Sequence, residues 1–210
     1  MDTQCKKSTH TEAEFVIHRI IEEEDRASNS PPSTATTLQL LDRNRSNLKS
    51  KSYLTLNRKL TYDESHQYPR CAILSGNNIK MLPITEFIKH DIVAAAIEIS
   101  TTRGKTEIYL ALAYFPGDVD EAPPPEVSAF VSFCKNQNKA FIIGCDANAH
   151  HTVWSSNNIN KRGECLLEYI TKNNVDFCNK GTDFTFMNSI RQEVLDLTLC
   201  SNTLSERIHN

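Results

Sequence analysis

The sequence of 210 residues is short of the features that mark membrane, secreted and strongly basic proteins. It contains no apolar run approaching the roughly 20 residues that span a bilayer. Residues 1–15 contain no apolar block of the kind that forms a secretory signal. With 23 Lys and Arg against 26 Asp and Glu, the net charge of −3 gives no overall attraction to polyanions. We therefore expect an intracellular protein with no membrane partner, in which any contact with nucleic acid is local.

Closely spaced cysteine pairs are also absent. The seven cysteines are scattered along the chain, and no two of them form a Cys-x-x-Cys motif. Several have apolar neighbours, as Cys145 has after the segment FIIG. We expect reduced thiols rather than disulfides or a zinc cluster, which agrees with an intracellular protein.

Apolar residues are unevenly distributed. They make up 39% of the chain, but residues 1–50 hold only 14 of them. We expect residues 1–50 to form a poorly ordered N-terminal segment with a short helix at 11–27 and a Ser- and Pro-rich linker after it. We place a domain boundary near residue 50, so that residues 51–210 form the globular part.

From residue 70 onward, apolar runs of strand length alternate with helical patterns. Prolines at 123–125 predict the start of a helix that buries Val127, Phe130, Val131 and Cys134 on one side. A second helix is predicted at 163–174. Strands are predicted at 71–75, 91–99, 107–115, 140–145, 175–178, 184–187 and 193–200, with 91–99 and 107–115 forming a buried antiparallel pair. Interleaved strands and helices predict an α/β layered fold.

The segment 144–151, GCDANAHH, places polar residues directly after a buried strand. Asp146 and Asn148 would point to the same side in extended geometry, where a carboxylate and an amide could hold a cation, water and phosphate. The alternative is an Asx turn that closes the strand. His150 and His151 are adjacent and diverge, so they do not favour a zinc site.

Three further residues have a local interpretation that favours no catalytic role. In 193–200 the leucines alternate with polar residues, so Asp196 lies opposite the leucine face, either exposed or directed into a polar site. Tyr114 ends the predicted strand 107–115 and taken alone predicts packing. Thr185 alternates with two phenylalanines and faces away from them.

The order of these segments resembles the endonuclease/exonuclease/phosphatase family, and more narrowly the endonuclease domain of jockey- and R1-type non-LTR retrotransposons. The resemblance covers about residues 55–210. The stretches that carry it are AYFPGD (113–118), PPPEV (123–127), FIIGCDANAHHTVW (141–154), INKRGECLLEYI (159–170), FTF (184–186) and EVLDLTLCSN (193–202), with weaker similarity in YPRCAIL (68–74) and LPITEFIKHDIVA (82–94).

The resemblance implies a two-sheet β-sandwich flanked by helices that cleaves phosphodiesters with Mg²⁺ or Mn²⁺. It implies that Asp146 binds the metal and orients or deprotonates the attacking water. The other implied roles are phosphate contact for Asn148, donation to the phosphorane for Tyr114, orientation of a catalytic histidine for Asp196, and contact with substrate for Thr185, His151 and Arg162.

The implied substrate is genomic DNA in the nucleus, nicked to prime reverse transcription. The full-length protein would then also hold an RNA-directed DNA polymerase and bind the element's own RNA. The segment 155–163, with Arg162, is interpreted either as a contact with the DNA backbone or as a solvated loop.

Two parts of the family pattern are not found in the sequence: a metal-binding glutamate on an early strand and a terminal Ser-Asp-His motif. We therefore expect an incomplete domain, either a truncated or decayed copy or an incomplete gene model. The alternative function is a non-catalytic remnant that binds nucleic acid or folds only in part. A phosphoinositide or sphingolipid phosphodiesterase of the same fold is a third hypothesis, which the ANAHH and EVLDLTLCS segments argue against.

Overall fold

A six-stranded sheet forms the centre of the structure. The structure is a computed structural model that describes residues 59–65, 70–75, 80–101, 104–179, 184–187 and 192–209. The predictions for residues 1–50, including the helix at 11–27 and the boundary near residue 50, lie outside the described residues.

Strands and helices are interleaved along the described chain, with five strands before the first helix and four between the last two helices. The elements are β1 (Lys59–Tyr62), β2 (Ala72–Ser75), β3 (Lys80–Lys89), β4 (Ile92–Thr101), β5 (Gly104–Tyr114), α1 (Pro125–Asn136), β6 (Ala140–Asp146), a 3₁₀ turn (Thr152–Trp154), α2 (Lys161–Lys172), β7 (Val175–Phe177), β8 (Phe186–Met187), β9 (Gln192–Glu193), β10 (Asp196–Ser201) and α3 (Asn202–His209).

The main sheet has the strand order β3-β4-β5-β6-β10-β7. Neighbouring strands are antiparallel except β5 and β6, which are parallel. A parallel pair needs a long crossover, and α1 supplies it. The predicted antiparallel pairing of 91–99 with 107–115 is confirmed, since Ile92 lies opposite Ala113 and Ile99 opposite Thr106.

Helix α1 begins where the prolines predict. Pro124 occupies the N-cap and Pro125 the first helical position, where no backbone N–H bond is lost. The four residues of the predicted apolar stripe are the buried residues of the helix. Among them, Phe130 makes edge contacts with Phe87 and Phe141, with ring centroids 5.3 Å and 6.3 Å apart. This stripe fixes the helix on one face of the sheet.

Apolar clusters cover both faces of the main sheet. One lies between the sheet and helices α1 and α2, and includes Ile143 and Leu166. The other lies on the opposite face, where Cys71 and Ile73 of the β1–β2 ribbon join Val93 of β4. The sheet is therefore packed between helices and a second, smaller sheet. The predicted α/β fold with sandwiched sheets and flanking helices is confirmed in the described residues.

The predicted strand at 193–200 is interrupted. Gln192 and Glu193 pair with β8 in a separate ribbon, and the chain joins the main sheet only from Asp196 onward. The prediction of strict alternation from residue 194 is wrong, because Val194 packs into the same cluster as Leu197. The chain changes sheets at 194–195, which shifts the side-chain period there.

The six described cysteines are free thiols. Burial raises the pKa of the Cys71 and Cys134 thiols to about 12, so they stay protonated at neutral pH. The Sγ atoms of Cys178 and Cys200 lie 2.9 Å apart across the junction of β7 and β10. Within the part of the chain that the structure describes, no helix is both long and apolar enough to cross a membrane.

Candidate active site

One edge of the main sheet collects the polar residues singled out in the sequence. The parallel strands β5 and β6 end at this edge, with Tyr114 and Asp146 as their last residues. Strand β10 runs the other way and begins there with Asp196. Loops that follow parallel strands at such an edge are the usual place for ligand chemistry. The structure therefore brings together three residues that are far apart in the sequence.

These three residues, Tyr114, Asp146 and Asp196, form a row across the ends of three strands, which is called the catalytic row after the role proposed for it below. In the strand register, Tyr114 lies beside Asp146, and Asp146 lies opposite Asp196. Side chains at paired positions project from the same face of a sheet, with Cβ atoms about 4.5–5.5 Å apart across antiparallel strands. The preceding and following residues, Cys145 and Leu197, face the helices, so the row faces the other side.

Thr185 and Asn179 hold the backbone at the start of β10. The Thr185 hydroxyl accepts hydrogen bonds from the backbone N–H groups of Leu195 and Asp196, each at 2.9 Å. The Asn179 amide donates to the Asp196 carbonyl at 3.0 Å, and its oxygen accepts from the Thr198 N–H at 2.8 Å. Because a hydroxyl has two lone pairs and one proton, Thr185 keeps only its proton for a further partner.

An ion pair supports the ring of Tyr114, which is buried with 9% exposed. The Arg70 guanidinium carbon lies 4.6 Å from the centre of that ring. Arg70 binds both carboxylate oxygens of Asp91, at 2.5 Å and 2.6 Å. The Tyr114 N–H in turn donates to the Asp91 carbonyl at 2.9 Å. The arrangement combines a bidentate ion pair with a cation–π contact, and both limit where the phenol can lie.

Asn148 does not continue the extended geometry from which a shared direction with Asp146 was inferred. Strand β6 ends at Asp146, and Asn148 has a left-handed backbone with φ of 45°. Asn tolerates this conformation better than most residues because its short side chain bonds locally. Its Nδ2 donates to the Phe115 carbonyl at 3.0 Å. The amide therefore ties the loop after β6 to the loop after β5.

Arg162 is buried, with 5% of its surface exposed. Its guanidinium donates to backbone carbonyls of the loops after β5 and β6, including Asn148 and Ala147, each at 3.0 Å. The prediction that Arg162 contacts substrate assumed an exposed side chain, and this burial argues against it. Burial lowers the pKa of Arg162, and the charge of Asp146 is among the groups that oppose this shift.

His151 also forms a hydrogen bond with the protein's own backbone. It caps the 3₁₀ turn, where its Nδ1 accepts from the Val153 N–H at 3.1 Å. Its ring lies 5.3 Å from that of Trp154, and it lines an open cavity of about 490 Å³ beside α2. His150 instead contacts Asn158 and Glu193, at 2.7 Å and 3.5 Å. The two histidines thus have separate partners.

The row contains the donor atoms that a hard cation prefers. Mg²⁺ in enzymes keeps several waters and binds through one or two carboxylates together with substrate phosphates. Asp146 and Asp196 offer two such carboxylates at paired positions. Among the described residues, no three His, Cys, Asp or Glu side chains form a metal-binding group.

Arg70, Asp91 and Asn179 were not predicted from the sequence. Asn179 directly follows the predicted strand 175–178, as Asp146 follows the predicted strand 140–145, so the rule that singled out Asp146 applies to it equally. Arg70 and Asp91 flank strands at their start, where a charged residue is ordinarily solvated. The pairing of β4 with β5 brings Asp91 to Tyr114, and the ion pair with Asp91 holds Arg70 there.

Comparison with known proteins finds one matching family model and several solved structures with a similar fold. The sequence model of the family described as endonuclease-reverse transcriptase matches residues 108–210. The fold resembles the endonuclease domain of TRAS1, a telomere-specific non-LTR retrotransposon, with a TM-score of 0.62 and 17% identity over 93% of this chain and 84% of that one. The human Nocturnin catalytic domain is less similar, with a TM-score of 0.48 and 13% identity over 91% and 74%. No curated protein matches the sequence.

Proposed function

We propose a DNA-nicking function for this chain, whose residues 108–210 match the sequence model of the endonuclease-reverse transcriptase family and whose fold resembles that of a retrotransposon endonuclease domain. The specific proposal is that the domain cleaves one strand of DNA in a metal-dependent reaction. The observation that carries it is the catalytic row, in which a phenol and two carboxylates occupy paired positions at the ends of three neighbouring strands.

In this proposal Asp146 acts on the attacking water. A half-buried carboxylate at the end of β6 can accept the water's proton as the water oxygen bonds to phosphorus. A nick that primes DNA synthesis must leave a 3′ hydroxyl, so the bond that breaks is the one between phosphorus and the 3′ oxygen. The proton that Asp146 takes up balances the proton that the departing 3′ oxygen must gain.

Tyr114 and Thr185 would supply hydrogen bonds to the phosphate. The phenol stands in the row beside Asp146, and the Thr185 hydroxyl has one proton left after accepting two backbone bonds. Fixed donors directed at oxygens that gain charge lower the barrier because they need not reorganise during the reaction. Asn148, in the loop after β6, is a third donor, because its amide has a second N–H besides the one that bonds to the Phe115 carbonyl.

A divalent cation, Mg²⁺ or Mn²⁺, is the cofactor that we propose. Asp146 would hold it, and Asp196 at the paired position is the second available carboxylate. When bound, such an ion supplies charge that stabilises the developing negative oxygens and lowers the pKa of water. We further propose that the protein acts in the nucleus on genomic DNA, with a reverse transcriptase and the element's own RNA as partners in the full-length protein.

A plasmid-nicking assay tests the proposal. Supercoiled plasmid is incubated with the chain in the presence of Mg²⁺, Mn²⁺ or EDTA, and the open-circular product is then extended with a DNA polymerase to detect a 3′ hydroxyl. We expect cation-dependent nicking that falls by several orders of magnitude in Asp146→Asn, since the members of such a site act together.

The matched control is Asp176→Asn. Asp176 lies on β7 opposite Cys200, in the same sheet but four residues along β10 from Asp196. This control should nick as the native chain does. Nicking that is equal in Asp146→Asn and the native chain would refute the proposal. Binding of DNA without cleavage under every condition would favour the alternative function, a non-catalytic domain that binds nucleic acid.

A further inference from the structure

Arg162 presents a buried cation to the backbone of two separate loops. It is the second residue of α2, and its side chain points under the edge of the sheet where β5 and β6 end. Nε donates to the Asn148 carbonyl at 3.0 Å. Nη2 donates to the carbonyls of Ala147 at 3.0 Å and Phe115 at 3.5 Å, and Nη1 donates to that of Val119.

The four acceptors divide equally between the two loops. Phe115 and Val119 belong to the segment after β5, and Ala147 and Asn148 to the segment after β6. A guanidinium is suited to this because its five N–H groups are fixed in one plane, so several acceptors can be held at once. Burying a cation is costly unless its donors are satisfied, and carbonyl oxygens of both loops satisfy them here.

These loops begin at two members of the catalytic row. Phe115 follows Tyr114 directly, and Ala147 follows Asp146 directly. The backbone adds only a few bonds at this point: the Phe115 N–H donates to the Asp146 carbonyl, and the Ala147 N–H to the Leu195 carbonyl, both at 2.9 Å. A displacement of either loop would therefore change the spacing between the phenol and the carboxylate.

We propose that Arg162 is a positioning residue for the row: by holding the loops after β5 and β6 together, it fixes Tyr114 and Asp146 at one separation. The inference rests on the proposed function for its effect on nicking, but its structural part stands on the hydrogen bonds alone. It replaces the predicted contact with substrate.

Hydrogen exchange tests the structural part. The amides of Phe115 and Ala147 are protected by the bonds given above, and Arg162→Met should speed their exchange at least tenfold. Arg162→Lys keeps the charge but not the planar fork, and should give an intermediate increase. Lys172→Met, an exposed cation at the other end of α2, is the matched control and should leave both amides unchanged. The exchange rates of amides in the β4–β5 hairpin should not change in any variant.

Nicking kinetics test the functional part. Because a shift of about 1 Å in a reacting group can cost about a hundredfold in rate, Arg162→Met should lower kcat by about that factor with little change in KM. Adding methylguanidinium to Arg162→Ala should restore part of kcat. Loss confined to KM, with native exchange in both loops, would overturn the inference in favour of direct contact with substrate.

The two proposals can fail separately. If the native chain does not nick DNA, the proposed function fails, and the exchange measurements still decide whether Arg162 holds the loops. If Arg162→Met does not fold, Arg162→Lys carries the test, since it preserves the charge and most of the volume. If hydrogen exchange rises equally at all amides of Arg162→Lys, Arg162 contributes to the stability of the whole domain, and the positioning role is overturned.

Discussion

Replacing Gly163 by alanine should destabilise the folded protein more than the addition of one methyl group would suggest. Gly163 is the third residue of α2, and a Cβ added there would lie 1.9 Å from the carbonyl oxygen of His150. Because contacts under 3.0 Å essentially do not occur, the helix start and the loop after β6 would have to separate by about 1.1 Å. The obstacle is backbone, so no side chain can rotate to make room.

The cost can be worked out from the bonds at this junction. Asn160 caps α2 by accepting from the Gly163 N–H at 2.8 Å, and the same oxygen accepts from the His150 N–H at 3.0 Å. Losing such a cap costs about 0.5–2 kcal/mol. Forcing an extra methyl into a filled space costs about 1–3 kcal/mol. The better helix propensity of alanine returns about 1 kcal/mol, so we expect a net loss of about 2 kcal/mol.

Thermal unfolding followed by circular dichroism measures this loss. For a chain of this size, 2 kcal/mol corresponds to a fall in Tm of about 4–8 °C. Gly117→Ala is the matched control, since its Cβ would meet only the Asn148 side chain, at an ordinary 3.8 Å. Its Tm should stay within about 2 °C of the native value. Equal stability of the two variants would refute the argument that this junction is closely packed.

Two further predictions follow from the site and the core. Tyr114→Phe removes one oxygen and leaves the ring under Arg70, so nicking should fall about 10²–10³-fold, and full activity in the plasmid assay would rule out the phenol as a donor. Because burial raises the pKa of Cys71 and Cys134 to about 12, both thiols stay protonated at pH 8. Among the six cysteines that the structure describes, iodoacetamide with peptide mapping should label half-exposed Cys165 first, and prior labelling of Cys71 would contradict its burial.

The α/β fold could be predicted from the sequence because its elements are defined by local patterns. The stripe of α1 defines both that helix and its buried side, and the apolar runs of β4 and β5 are long enough to define two strands buried on both faces. The break at 194–195 could not be predicted in this way. Its cause is non-local, since Leu195 bonds to Thr185 and Ala147 rather than to a neighbour in the same ribbon.

The site could be predicted only in part, for a related physical reason. Asp146, Tyr114 and Asp196 end or begin strands, and that position is visible in the sequence. Which strands are neighbours is decided by pairing, so the row itself could not be derived from residue spacing. Arg70 is a further case, because its cation–π contact depends on the segment before β2 lying beside the end of β5.

Arg162 shows why residue type alone misassigns roles near such a site. An arginine in a polar segment after a catalytic motif predicts contact with phosphate, because exposed guanidinium groups bind phosphate well. The same donors also bind carbonyl oxygens once the side chain is buried. Arg162 lies beside Gly163, where helix α2 closely approaches the loop after β6. A small residue next to an arginine at a helix start therefore favours an internal role over a surface one, because the close approach that the small residue permits brings backbone carbonyls within reach of the guanidinium.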